Sequence, residues 1–261
     1  MYFEALCKEL ESFTEIEAIA LGGSRAGKDF DSKSDYDLYV YVENLPPVDL
    51  RQKILEKYCS YMELGNSFWE LEDDCTLKNG IDIDIIYRNL DSFKKSIEDV
   101  VDKNNSHNGY TTCMWHNLLN CKILFDRNGK LQNLKNHYNV NYPKALKENI
   151  ISRNFKLLNG FLPSYDGQIL KALNRDDKVA VNHRVSEFLE SYFDIIFAMN
   201  ELTHPGEKRE VMYAKKNAKI LPKNFEENIN ELFFCLFDKE KCEKVPIIIN
   251  TIISELKKCC C

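Results

Sequence analysis

The chain lacks the features that mark a membrane protein, a disulfide scaffold or a nucleic-acid clamp. No stretch of its 261 residues approaches the roughly 18 consecutive apolar residues needed to span a bilayer. The opening segment MYFEALCKELESF carries early acids at amphipathic spacing, where a secretion signal would have a basic start and an apolar core. A cytoplasmic location is therefore expected. Ten cysteines are present, but none forms a C-x-x-C pair or an ordered set with histidine, so neither a zinc site nor a disulfide framework is indicated. Reduced thiols suit the expected compartment. The terminal Cys259-Cys260-Cys261 is not a prenylation box, because Lys258 stands where the modified cysteine would be, and a disordered tail is expected. Basic excess is missing too. The net charge of −6 argues against a phosphate backbone as the main partner, despite a local cluster at Lys208, Arg209, Lys215, Lys216, Lys219 and Lys223. No internal repeat appears.

What is present is concentrated between Ile19 and Val42, IALGGSRAGKDFDSKSDYDLYVYV. A short apolar run ends at Gly22-Gly23-Ser24, and Asp35-Tyr36-Asp37 opens a second apolar run, Leu38 to Val42. A strand from Tyr36 places Asp35 and Asp37 on one face. Two carboxylates side by side repel each other, and a divalent cation reverses that sign; hard oxygen ligands on a rigid element suit Mg²⁺. The Gly-Gly-Ser turn lets backbone N–H groups and a hydroxyl approach an anion such as a triphosphate. The run Gly22 to Lys28 also fits the first part of a P-loop, GxxxxGK[ST]. That reading fails because Asp29 replaces the Mg²⁺-binding Ser or Thr, and because residues 29–35 have no helical period.

Farther on, Gly80-Ile81-Asp82-Ile83-Asp84-Ile85-Ile86-Tyr87-Arg88 alternates cleanly, with Ile81, Ile83 and Ile85 on one face and Asp82 and Asp84 on the other. Taken in order, the Gly-Gly-Ser turn, the Asp-Tyr-Asp pair and this acidic strand resemble the signature of the DNA polymerase β-like nucleotidyltransferase superfamily. The resemblance is motif-specific over residues 19–88 and architectural beyond. It implies two Mg²⁺ ions held by Asp35, Asp37 and a third acid. Asp84 is chosen for that role, with Asp82 as the alternative. It also implies NTP, expected to be ATP, contacted by Gly22, Gly23, Ser24 and Arg25. His204-Pro205-Gly206-Glu207-Lys208-Arg209 resembles a segment of some bacterial nucleotidyltransferases, and it assigns Lys208 and Arg209 to the triphosphate; a helix cap and connector is the plain alternative.

Periodicity predicts helices at 2–14, 49–62, 90–101 and 110–120, and strands at 16–21, 36–42, 67–71, 81–87 and 121–125. In the 49–62 helix, Leu50, Ile54, Leu55 and Tyr58 are expected to point inward. From about residue 130 strand patterns fade, and helices are expected at 143–158, 164–174, 178–201, 207–218, 224–237 and 244–258. The expected fold class is α+β, a mixed nucleotidyltransferase-like sheet with flanking helices followed by an α-helical bundle. The domains are drawn at 1–128 (catalytic) and 129–261 (helical). On 178–201, His183, Glu187, Glu190 and Asp194 form one polar stripe. Glu187 is the helical-domain candidate for the base, with the third Asp, Glu70 and Glu72 as alternatives and a solvated stripe as the plain reading.

The expected activity is transfer of a nucleoside monophosphate, AMP by preference, to a hydroxyl of a small molecule such as an aminoglycoside- or lincosamide-like antibiotic. A protein-modifying nucleotidyltransferase, or a nucleotide-binding partner of the toxin–antitoxin type, is the alternative. No membrane partner is expected.

Overall fold

The computed structural model describes residues 2–27, 34–160 and 162–260. Lys28 to Lys33, the segment on which the P-loop comparison turned, and Cys261 lie outside the described residues. The class is α+β, as expected: a six-stranded mixed sheet with flanking helices, and a set of helices after it. In chain order the elements are α1 (Tyr2–Leu10), β1 (Ile16–Leu21), α2 (Gly23–Ala26), β2 (Tyr36–Val42), α3 (Val48–Tyr58), β3 (Cys59–Asn66), β4 (Leu71–Leu77) and β5 (Asp82–Arg88). Next come α4 (Leu90–Val101), α5 (Cys113–Asn120), β6 (Lys122–Asp126), α6 (Lys130–His137), α7 (Lys144–Leu158), α8 (Tyr165–Leu173) and α9 (Lys178–Met199). Helices α10 (Glu210–Asn217), α11 (Phe225–Leu236) and α12 (Val245–Cys260) complete the chain. Two compact units result, Met1–Glu98 with Met114–Val140, and Asp99–Cys113 with Asn141–Cys261.

In the first unit the strand order is β3-β4-β5-β2-β1-β6. Only β2 and β5 pair in parallel; the other neighbours are antiparallel. One face carries the alternating apolar residues Leu38, Val40, Ile83 and Ile85, which are fully buried in a core with Leu6 and Leu10 of α1 and Leu55 of α3. On the other face Tyr39 and Tyr41 of β2 are buried opposite Ala20 and Ala18 of β1, whose small side chains leave room for the rings. Phe93 of α4 packs against Tyr41, ring centroids 5.3 Å apart.

The predicted 49–62 helix and 67–71 strand need correction. Helix α3 stops at Tyr58, and the chain turns directly into the β3–β4 hairpin. Residues 67–70 are its loop, started by Asn66, whose Oδ1 accepts the Phe68 N–H at 2.9 Å. On α3 Leu55 is buried and Ile54 and Tyr58 pack against the core, as expected, but Leu50 is exposed and Arg51 is buried as well. Arg51 is inward because Asp73 of β4 is fully buried beneath it and takes both carboxylate oxygens to its Nη1. Asp73 also accepts from Tyr87 Oη (2.9 Å) and the Gly65 N–H (2.8 Å), and Arg51 Nε donates to Pro46 O (3.0 Å). Burial alone would lower the Arg51 pKa, but the hydrogen bonds and charge of Asp73, with Tyr87, together outweigh it and raise it.

The second unit is built around α9, whose Asp177 N-cap accepts the Ala180 N–H at 3.0 Å. Residues Ser191 to Met199 are buried on every side of that helix, among α8, α11 and α12. The segment 99–113 belongs to this unit and is stitched to it by polar contacts. Asp194 accepts from the Thr111 N–H (3.1 Å), Thr111 Oγ1 (2.6 Å) and Asn154 Nδ2 (3.2 Å), and the His204 N–H donates to Thr112 Oγ1 (2.8 Å). Cys259 and Cys260 of the expected disordered tail are instead in the last turn of α12, where Cys259 donates to Glu255 O at 3.4 Å.

Candidate functional site

The Gly-Gly-Ser turn is closed down on β2 so tightly that side chains are excluded. The Gly22 N–H donates to Asp37 O at 2.8 Å, extending the β1–β2 ladder by one rung. A Cβ on Gly22 would lie 2.3 Å from the Tyr39 ring. Gly23 has φ +54°, the left-handed region that favours glycine, and a Cβ there would lie 1.6 Å from Asp37 Oδ2. The backbone of the turn and the Asp37 carboxylate are therefore in direct contact. Ser24 sits in the single turn of α2 that follows.

Asp37 and Asp84 are register partners on the parallel strands β2 and β5. Neighbouring strands lie about 4.8 Å apart, so the two side chains leave the sheet side by side on one face. Both are half-buried. Asp35 precedes the strand, half-buried, with its carbonyl accepting Arg25 Nε at 3.1 Å. Arg25 also donates Nε to Ser34 O (2.7 Å), and its guanidinium stacks 4.1 Å from the Tyr36 ring centroid, on the face opposite Asp37. Asp82 is exposed and accepts from Thr76 Oγ1 at 2.8 Å.

Sequence reasoning missed the continuation of this acidic row. Asp74 of β4 lies opposite Asp84, and Glu63 of β3 opposite Asp74, so the carboxylates run across four strands at one level. Glu72, two residues along, has its pKa raised, by burial first and then by Asp74, Asp84 and Glu70. The alternation in Leu71-Glu72-Asp73-Asp74-Cys75 was the available signal, but it becomes legible only once β4 is known to be a strand. A second column supports the turn. Glu70 takes Arg88 Nε and Nη2 at 2.7 and 2.5 Å, and Arg88 stacks 4.1 Å from the Tyr39 ring, the ring that Gly22 rests against.

Among the described residues, no three acidic, histidine or cysteine side chains converge tightly enough to form a metal cluster. Asp37 and Asp84 are in register rather than gathered. Adjacent like charges repel, and rotation about two side-chain torsions is what would bring their oxygens onto one cation. The donor set, hard carboxylates on rigid neighbouring strands, fits Mg²⁺.

In the helical unit, Glu187 is half-buried and accepts from Tyr165 Oη at 2.9 Å. The perturbed acids lie beside it. Glu190 has a raised pKa from burial and then from Glu187, Glu210 and Glu207. Glu210 is pushed up to about 8 by burial and then by Glu207. Tyr110 is raised by burial and by the same acids. Gly109, at φ +89°, lets the loop lie against α9, where a Cβ would be 2.8 Å from Glu190 Cβ. His204 is fully buried, and burial lowers its pKa to about 4. Its Nδ1 accepts the Gly206 N–H at 3.1 Å, so Nε2 carries the proton, and the 3.3 Å approach to Glu210 at neutral pH is between two neutral groups. Lys208 and Arg209 are exposed in the turn before α10, with Arg209 left-handed at φ 61° as its N-cap.

The signs of these shifts give a stability profile. The folded chain holds the Glu210 proton above pH 4.5, where the unfolded chain releases it, so stability falls as pH rises towards 8. His204 acts oppositely between pH 4 and 6.5, because there the unfolded chain binds the extra proton. Above pH 6.5 only the fall remains. Between pH 6.5 and 8 Glu210 is expected to account for roughly 1.5 kcal/mol of lost unfolding free energy, which Glu210→Gln should remove. Urea unfolding of both proteins at the two pH values measures it; equal slopes would refute the assignment.

The family model described as polymerase beta, nucleotidyltransferase matches residues 4–158, more than half of the chain. The chain belongs to that family, and nucleotidyl transfer is its reaction class. A second model, described as a domain of unknown function (DUF4037), matches residues 111–208. No curated protein matches. Among solved structures, the nucleotidyltransferase-like protein from Exiguobacterium sibiricum is 13% identical with a TM-score of 0.42, covering 97% of this chain and 71% of its own. The aminoglycoside 6-adenyltransferase from Bacillus subtilis is 11% identical with a TM-score of 0.35, covering 99% and 88%. At that distance neither carries an argument about substrate. No helix among the described residues is long and apolar enough to cross a membrane.

Proposed function

We propose that this protein transfers a nucleoside monophosphate from Mg-ATP to a hydroxyl of a small molecule, in the cytoplasm. The observation that carries the reading is the side-by-side register of Asp37 and Asp84 with the Gly23 backbone closed against Asp37. Asp35, Asp37 and Asp84 are the proposed holders of two Mg²⁺ ions. When bound, the ions would neutralise charge on the triphosphate and acidify the attacking hydroxyl. Gly23 and Ser24 present backbone N–H groups and a hydroxyl to the phosphates, while Gly22, whose N–H is held by Asp37 O, lets the ligand approach the turn closely. Arg25 acts by fixing the returning loop, and Lys208 and Arg209 are proposed phosphate contacts.

In the reaction the acceptor O–H bond breaks, the acceptor oxygen bonds to the α-phosphorus, and the bond from the α-phosphorus to the pyrophosphate oxygen breaks. The proton goes to a carboxylate, proposed as Asp84 or Glu187. Aminoglycosides are the first acceptor panel to test and lincosamides the second. Incubation with each Mg-NTP and each acceptor, read by mass spectrometry, should give a product heavier by one nucleoside monophosphate and one pyrophosphate released per product. ATP turnover without any adduct across the panel would remove the small-molecule acceptor.

A further inference from the structure

A groove of about 500 Å³ in the helical unit lies between α7 and the loop preceding α5, lined by Ser106, Asn108, Asn149, Ser152, Arg153 and Lys156, with Leu157 at one side. It contains no carboxylate, in a chain of net charge −6. Asn149, Ser152, Arg153 and Lys156 stand at i, i+3, i+4 and i+7 on α7, so they form one stripe facing the loop. The opposite wall is held in place. Asn149 Nδ2 donates to Asn104 O at 2.9 Å, Arg153 Nε to Asn108 Oδ1 at 2.8 Å, and Asn154 Nδ2 to His107 O at 3.4 Å.

The bond to Asn108 fixes the Arg153 guanidinium through Nε alone. An arginine offers five N–H donors, and the four on its Nη atoms have no partner among the described residues. The same is true of the Ser106 and Ser152 hydroxyls. Lys156 adds a second positive charge. A pinned guanidinium with both Nη groups open is the donor geometry that suits a phosphate bidentately, and volumes of about 300–1,000 Å³ are those of small-ligand sites.

We propose that this groove binds the phosphoryl group of a small ligand, a phosphate monoester or polyphosphate, without a metal ion. The proposal is independent of the nucleotidyl-transfer reading. The test is titration of the ¹⁵N-labelled full chain with inorganic phosphate and then tripolyphosphate, in EDTA so that cation-dependent sites are silent. The expected result is saturable shifts of the Ser106, Asn108, Ser152 and Arg153 amides. Tripolyphosphate affinity, followed at Ser106 and Ser152, should weaken about tenfold in Arg153→Ala, as loss of a charge-assisted hydrogen bond predicts, and also fall in Lys156→Ala. Both side chains are exposed, so the fold is retained, which the unshifted amides of α9 will show. Asp37→Asn should leave the titration unchanged. Still amides at saturating anion, shifts that survive Arg153→Ala, or a response to an oligoribonucleotide but to neither anion, would each overturn the proposal.

Discussion

Replacing Asp37 by asparagine is expected to cut nucleotidyl transfer by about a thousandfold while leaving the fold intact. The amide keeps the size of the carboxylate and the contact with the Gly23 backbone, but it removes one of the two charges that face each other across β2 and β5. A thousandfold loss is roughly 4 kcal/mol of barrier, within the several kcal/mol that a bound cation supplies in transition-state charge stabilisation. Stability should hold or rise slightly, because a like-charge repulsion disappears. Pyrophosphate release under single-turnover conditions gives the rate, and urea unfolding gives the stability. A variant retaining a tenth of the wild-type rate would show that Asp37 is not at the reacting centre. A variant that loses activity and unfolds together would assign Asp37 to structure.

The second large effect concerns stability. Asp73→Ala leaves the Arg51 guanidinium buried beside Tyr87 without its counter-charge, and a loss of about 3–5 kcal/mol is expected. Removing both charges together with Arg51→Met and Asp73→Leu should recover most of that loss, since apolar replacements of similar volume avoid burying a lone ion. Denaturant midpoints of the single and double variants decide the matter. If Asp73→Ala unfolds within about 1 kcal/mol of wild type, the buried pair is not what ties the β3–β4 hairpin to α3.

The two elements that sequence periodicity misplaced meet at this same pair. Leu50, Ile54, Leu55 and Tyr58 keep helical spacing, and Met62 continues it, so nothing in the pattern stops the helix at Tyr58. Strand β3 is an edge with half of its residues in solvent and one buried, which weakens the apolar alternation that identifies a strand. A fully buried aspartate reads as a surface residue until its arginine is found. By contrast β1, β2 and β5 were legible because their inner faces are continuous runs of Ile, Leu and Val in a closed core. The central helices were legible from length and period, while α6 was not anticipated, its eight residues carrying only Leu131 and Leu134 as buried apolar positions.

For the candidate site, local motifs named the residues, but pairing decided their neighbours. That Asp74 shares a level with Asp84 follows from the β4–β5 register, which depends on a hairpin that periodicity did not place. The perturbed acids Glu190 and Glu210 required knowledge that Gly109 and Tyr110 fold onto α9, a contact between segments far apart in the chain.

The parallel alignment of β2 with β5 also orders events during synthesis. An entire helix and hairpin are translated between the two aspartates, and distant pairings form slowly because a long loop must close first. A nascent chain that has released β2 from the ribosome but not yet β5 carries Asp35 and Asp37 but lacks Asp84. The facing pair of aspartates is therefore completed only when β5 docks beside β2, and it exists before the helices that follow residue 143 have been made.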